Sequence, residues 1–215
     1  MIDNLQELYE ILNQKMSHRK WWDTDNPWEI AIGAVLVQNT NWKNVDYSLA
    51  NLKAETNLQP ESIVALNNDR LEELIRPSGF YKNKSKTLYG LFNWLKEDDF
   101  DLSVYDQLDK TLLREKLLAI SGIGPETADV LLVYVFNRPM FIADRYAQRI
   151  FQNLGLKGTL NYSKLQAKVL LPPNFSYQQA QNLHGWLIDY GQVHLKSDEA
   201  WQQGYLSNFK LNIIE

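Results

Sequence analysis

The chain reads as an all-α protein on three observations. Apolar residues recur at helical spacing in one segment after another, and alternation with period two is almost nowhere sustained. Between two such helical runs lies SGIGPETADV, residues 121–130, which pairs turn glycines with a proline suited to the first position of a helix. The periodic segments add up to roughly nine to eleven helices with no convincing sheet.

Taken in order, Leu5, Leu8, Ile11 and Leu12 mark a first amphipathic helix. Ile30, Ala34 and Val37 mark a second, and Ile63, Leu66, Leu71 and Leu74 repeat the spacing further on. Residues 86–97 read as another helix, closed by the acidic break EDDFDLS and followed by LDKTLLREKLLAI. Leu113, Leu117 and Ile120 bring that run to the glycines, and Ala128, Leu131, Leu132 and Val135 resume a stripe after Pro125. The unit is a helix, a tight hairpin and a helix.

Composition narrows the class. With 215 residues, 45% of them hydrophobic, the chain can bury one large core or two small ones. There is no cysteine, which excludes disulfides, thiolate zinc sites and cysteine-held iron–sulfur clusters. No apolar run approaches the roughly 20 residues of a membrane span. The opening MIDNLQELYEILNQKM mixes acidic and apolar residues where a signal peptide has a basic end and an apolar block, so the expectation is a cytoplasmic protein. A net charge of −4 obliges any nucleic-acid site to be a local basic face. Seven tryptophans are many for this length, enough to fill a core and still line a pocket.

Glycines at 122 and 124 leave the hairpin backbone bare, and the helix after it begins with unpaired amides at its positive dipole end. Such a surface suits a phosphate, although a well-made helix–helix turn also uses glycine.

The wider stretch LLAISGIGPETADVLLVYVFNRPMFIADRYAQRIFQNLG, residues 117–155, resembles the helix-hairpin-helix DNA glycosylases of the endonuclease III superfamily. In that family a glycine hairpin is followed, after an apolar helix and a short loop, by an aspartate opening the next helix; here that is Asp144 in FIADRYAQRI. GAVLVQNTNWKNV resembles the segment whose glutamine enters the gap left by an extruded base, a role that maps onto Gln38. RPSGFYKNKSKTL resembles the segment of the second wedge, which puts that wedge near Phe80, a DNA-binding residue on this reading, and Lys84 at the family's usual lysine. The resemblance implies a two-lobed helical fold, with a six-helix lobe over about 26–138 and a second lobe from 1–25 plus 139–215, the aspartate lying in the cleft between them. It also implies that the backbone at Gly122, Ile123 and Gly124 holds DNA phosphates, with a monovalent cation at Gly122 and Gly124 as in some relatives. The implied partner is double-stranded DNA containing damaged bases, bound by a monomer away from any membrane.

Two departures from the family pattern bear on chemistry. Lyase-competent relatives carry a lysine two residues after the last hairpin glycine, where this chain has Glu126, and a carboxylate cannot form an imine. Water is then the nucleophile, and Asp144 would stabilise positive charge on the sugar and accept a proton, although as a lone residue it also reads as the cap of the helix from Arg145. The iron–sulfur cluster of endonuclease III needs four C-terminal cysteines, and its ligand places fall near Leu195, Gln202, Tyr205 and Leu211. No cofactor is expected, and packing around Trp201, Tyr205 and Phe209 is expected to hold that loop. Lys196 and His194 read as a solvated lysine and a satisfied histidine.

This combination most resembles the cluster-less bacterial 3-methyladenine DNA glycosylases, whose aromatic pocket positions match Trp21, Trp22 and Trp42. An alkylated purine is cationic and leaves easily, and face-on stacking on a desolvated cation contributes on the order of 2 kcal/mol. Trp21 and Trp22 are adjacent, and neighbouring helical residues cannot both face one core. Lys82, Lys84 and Lys86 are candidate phosphate contacts or else a solvated helix face. The competing readings are an endonuclease III-like glycosylase and lyase for oxidised pyrimidines, and a noncatalytic helix-hairpin-helix DNA-binding module.

Overall fold

The computed structural model describes residues 1–16 and 22–212. Among these the secondary structure is helical, and the β-type pairing is an isolated parallel bridge between Ile2 and Leu211. The all-α expectation holds. The chain divides into two compact units, one of Met1–Asp23 with Asn137–Glu215, the other of Thr24–Phe136.

Helix α1 (Leu5–Lys15) belongs to the first unit, is capped by the Asn4 side chain, and buries Leu5, Leu8, Tyr9 and Leu12. Ile11, expected in the same stripe, is half-buried.

The Thr24–Phe136 unit is built around α2 (Pro27–Leu36), in which every residue from Ile30 to Leu36 is buried. A helix apolar all round belongs in a core, and α2 packs on α3 (Trp42–Thr56) and on two helices further along the chain. Two short helices follow, α4 (Pro60–Ala65) and α5 (Asn68–Ile75), then a single 3-10 turn over Arg76–Ser78. Next comes α6 (Tyr81–Lys96), which starts five residues before the expected 86–97 segment. Its core-facing face opens on Lys84, Ser85 and Thr87 before Leu88, and those polar residues interrupt the apolar spacing that would announce a helix. Trp28 packs against Phe92 and Phe100, and Trp94 against Tyr105 and Phe136, completing an aromatic core.

The unit closes with α7 (Lys110–Leu118) and α8 (Pro125–Tyr134), which flank the glycine hairpin. A bidentate pair ties them: Arg114 Nε donates to Asp129 Oδ1 at 2.7 Å and Nη2 to Oδ2 at 3.2 Å, with the Asp129 side chain fully buried. Charge-assisted fork bonds of this kind fix orientation as well as contact, so the hairpin is held between two helices of set register.

In the other unit, α9 (Arg145–Asn153) and α10 (Tyr162–Lys168) precede α11 (Tyr177–His194), whose start is a full capping box between Ser176 and Gln179. The helix α11 packs on α9 and α1. Gly191 permits the close approach to α9, because a Cβ there would lie 2.5 Å from Tyr146 Cδ1. The last helix is α12 (Asp198–Gln203). Ile2 then joins the terminal segment, its N–H donating to Lys210 O at 2.7 Å and its carbonyl accepting from Asn212 N at 2.8 Å.

Candidate active site

The hairpin glycines have different reasons to be glycine. Gly122 has φ +88°, a left-handed conformation disfavoured for other residues, and a Cβ there would sit 1.9 Å from Thr87 Oγ1 on α6. The fold itself requires it. Gly124 has φ −91° and open space where a Cβ would be. Packing within the protein does not demand a glycine there. Gly124 is also the N-cap of α8 and supplies no side-chain bond, unlike Asn4, Asn26, Asn41, Asn67, Asp109 and Asp144 at their helices. The first-turn amides of α8 are thus left without a side-chain acceptor at the positive end of the helix dipole.

Ile123 corrects one expectation. Its side chain is buried and its amide donates to Ile120 O at 3.1 Å inside the turn, so it anchors the hairpin and offers no free N–H to DNA. At the hairpin backbone named for a monovalent cation, Gly122 O accepts from Gln38 Nε2 at 3.2 Å and Gly124 O accepts from Ala128 N at 2.9 Å, which leaves each oxygen a second lone pair.

Gln38 lies just past α2 and is seated on the hairpin, its amide donating also to Thr127 Oγ1 at 3.0 Å. Phe80 stands at the start of α6 with φ +47° and is 66% exposed. An apolar ring in the left-handed region and facing water is an arrangement that folding alone does not favour. Lys82 and Lys86 are exposed on α6. Lys84 is not part of that surface. It is 3% exposed, and its Nζ donates to Leu36 O at 2.8 Å and Ser78 O at 2.7 Å. Removal from water lowers its pKa to about 8. A lysine so engaged has no reach to a phosphate.

Glu126 is exposed in the first turn of α8, and desolvation followed by the Asp129 charge raises its carboxyl above the ordinary range.

In the other unit Asp144 caps α9, with Oδ1 accepting from Ala147 N at 2.7 Å, and it is 7% exposed. The capping role is therefore real, and it fixes the carboxylate. Its Oδ2 lies 3.9 Å from Nε2 of His184, a residue of α11 that the sequence did not single out. Burial lowers the His184 pKa to about 3, so the ring is neutral at ordinary pH and the contact is not an ion pair.

The sign of the resulting pH effect is fixed. Between 6.5, the ordinary value, and about 3, the unfolded chain binds a proton that the folded chain does not, so stability is fullest above pH 6.5 and falls as acid is added. Moving to roughly pH 4.5 should cost about 2.5 kcal/mol through this ring. His184→Gln, followed by urea denaturation at both pH values, should reduce the acid loss by about that amount. An unchanged loss would assign the sensitivity to other groups.

Residues 32–173 match the HhH-GPD superfamily, described as base excision DNA repair proteins. The chain belongs to this superfamily. Its members of this kind are DNA glycosylases, and the chain is one of them, a hydrolase of N-glycosidic bonds. A provisionally named DNA repair glycosylase of Methanocaldococcus jannaschii is 40% identical over 152 residues, covering 70% of this chain and 69% of that one. An endonuclease III of Sulfolobus acidocaldarius is 27% identical over 175 residues, covering 81% and 76%. Among solved structures, H. pylori 3-methyladenine DNA glycosylase bound to 1,N6-ethenoadenine matches with TM-score 0.72 at 27% identity, over 88% of this chain and 97% of that one. An endonuclease III–DNA complex matches with the same TM-score, 0.72, at 20% identity over 95% and 94%, a likeness of fold.

In this glycosylase Trp28, Trp94, Trp186 and Trp201 pack against other aromatic rings. Trp22 and Trp42 are half-buried, as are Trp28 and Trp94, and Trp21 lies outside the described residues.

The cysteine-free C-terminal loop is held by an aromatic knot centred on Tyr190, another residue the sequence did not single out. Tyr190 packs against His194 in a tilted arrangement and meets Trp201 and Tyr205 edge-on, and its hydroxyl accepts from Leu206 N at 3.1 Å. Gly204 admits that hydroxyl, since a Cβ there would lie 2.1 Å from it. Trp201 and Tyr205 belong to the knot as expected, while Phe209 is half-buried and lies outside it. His194 is satisfied through Nδ1 and Ala200 O at 3.1 Å, and Lys196 is exposed.

Proposed function

We propose that this glycosylase is monofunctional and releases an extruded alkylated purine such as 3-methyladenine from double-stranded DNA. The observation that carries the reading is Glu126, which stands in the first helical turn after the hairpin, where lyase-competent relatives bear an amine. A carboxylate cannot attack C1′ to give an imine. Water then forms the new C1′–O bond as the C1′–N bond breaks. The bond's electron pair leaves with the base and neutralises the cationic purine, and the water proton passes to Asp144. Before that transfer the same carboxylate stabilises positive charge growing on the sugar.

The remaining parts have proposed tasks. Gln38 and Phe80 fill the gap after extrusion, which costs a few kcal/mol. The α8 amides at Gly124, with Lys82 and Lys86, hold phosphates, and Trp22 and Trp42, with Trp21, stack the base. Likeness to the H. pylori 3-methyladenine enzyme supports the lesion class. With an acidic chain and few basic contacts, DNA binding should be modest and steeply salt-dependent.

The relatives named endonuclease III keep a second reading in view, a glycosylase and lyase for oxidised pyrimidines. Chromatography of bases freed from two duplexes, one methylated and one oxidised, separates the readings. We expect 3-methyladenine from the first and nothing from the second; an oxidised pyrimidine released in place of the purine would favour the second reading. No free base from either would favour a noncatalytic DNA-binding module.

A further inference from the structure

Lys84 carries a buried ammonium in the Thr24–Phe136 unit to which the proposed reaction gives no task. Desolvating an ammonium is costly, and a buried lysine persists where its hydrogen bonds are fixed by the surroundings. Its two carbonyl partners are placed alike. Leu36 stands two residues before Gln38, and Ser78 stands two residues before Phe80. A single ammonium thus bonds the last residue ahead of each wedge-bearing turn, at 2.8 and 2.7 Å.

The segments it joins are set by bonds of their own. Ser78 is fully buried, its N–H donating to Ser48 Oγ at 3.1 Å and its hydroxyl to Ile75 O at 2.8 Å. The Phe80 carbonyl accepts from Lys84 N at 3.1 Å, so the lysine holds the Phe80 turn through both backbone and side chain. Further along α6, Thr87 seats Gly122, whose carbonyl receives Gln38. One helix face therefore meets both wedge turns and the hairpin.

We propose that Lys84 is a positioning residue, a buried clamp that fixes Gln38 and Phe80 relative to each other so that both enter the gap left by an extruded nucleotide. The inference rests on the wedge roles given to those two side chains, and not on which base is released. A neutral apolar side chain of similar length would fill the space without joining the turns.

The test is the ratio of affinities for a duplex holding an abasic-site analogue and for the same duplex intact, measured at fixed salt. Wild-type protein should prefer the abasic duplex. Lys84→Met should lower that preference by about tenfold, as expected for misplaced contacts, while intact-duplex affinity stays within about twofold. Phe80→Ala and Gln38→Ala should lower the same ratio, and adding Lys84→Met to the pair of alanine changes should lower it little further. An unchanged ratio in Lys84→Met, or a fall in both affinities together, overturns the clamp. So does full additivity with the alanine variants. An unchanged ratio in Phe80→Ala and Gln38→Ala defeats the wedge reading, and the clamp with it, whereas failure to release 3-methyladenine bears on the chemistry alone. Should Lys84→Met not fold, Lys84→Gln keeps one amide donor and should show an intermediate ratio; a wild-type ratio there overturns the proposal.

Discussion

Asp144→Asn should reduce single-turnover base release by about a thousandfold or more, the scale of losing an electrostatic contact to a charged transition state. Asparagine is chosen because it separates the helix cap that the structure shows from the charge that the proposed mechanism requires. It caps a helix as well as aspartate does, so the bond from Ala147 N and the start of α9 should survive. What disappears is the charge. Thermal midpoint and affinity for abasic-site DNA should accordingly stay near wild type while turnover collapses. A variant that keeps more than about a tenth of the rate would remove the carboxylate from the mechanism, since a lost transition-state charge must appear in the rate.

The second large effect separates the two hairpin glycines. Gly122→Ala should destabilise the protein by about 2 to 4 kcal/mol, combining left-handed strain with a collision on Thr87 Oγ1. Gly124→Ala, at an ordinary φ of −91° and in open space, should cost no more than about 1 kcal/mol, the scale of putting alanine at an N-cap, and should instead weaken DNA binding, because its methyl group would fill space left open beside the hairpin backbone. Thr87→Ala in the Gly122→Ala background should recover part of the loss by removing the colliding oxygen. Equal destabilisation by both glycine changes would mean that the hairpin is a plain turn with no face kept bare for a ligand.

The hairpin was readable in the sequence because its determinants are local. Glycine at a left-handed position, proline at the first helical position and the apolar stripe beyond are all written within about fifteen residues. The early start of α6 was not, since Lys84, Ser85 and Thr87 occupy the buried face where an apolar pattern is sought. Pattern reading places such residues in solvent by type, and it therefore assigned Lys84 to a phosphate. Only the carbonyls of Leu36 and Ser78, distant in sequence, give that ammonium its place. His184 and Tyr190 escaped notice for a related reason. Each sits in a continuous helical run, and its meaning comes from Asp144 in one case and from the Gly204–Leu206 turn in the other. The spacing from Ile63 to Leu74 reads as one run but is two short helices parted at Leu66, and Asp198–Gln203 is too brief for periodicity to register, which is why the described helices outnumber those expected.

The central chemical claim is that water, and no protein amine, attacks the sugar. Borohydride added during turnover on the released lesion traps any imine as a stable protein–DNA adduct. The account predicts stoichiometric free base with no such adduct and intact strands. A covalent adduct that accumulates as fast as base is released would contradict it.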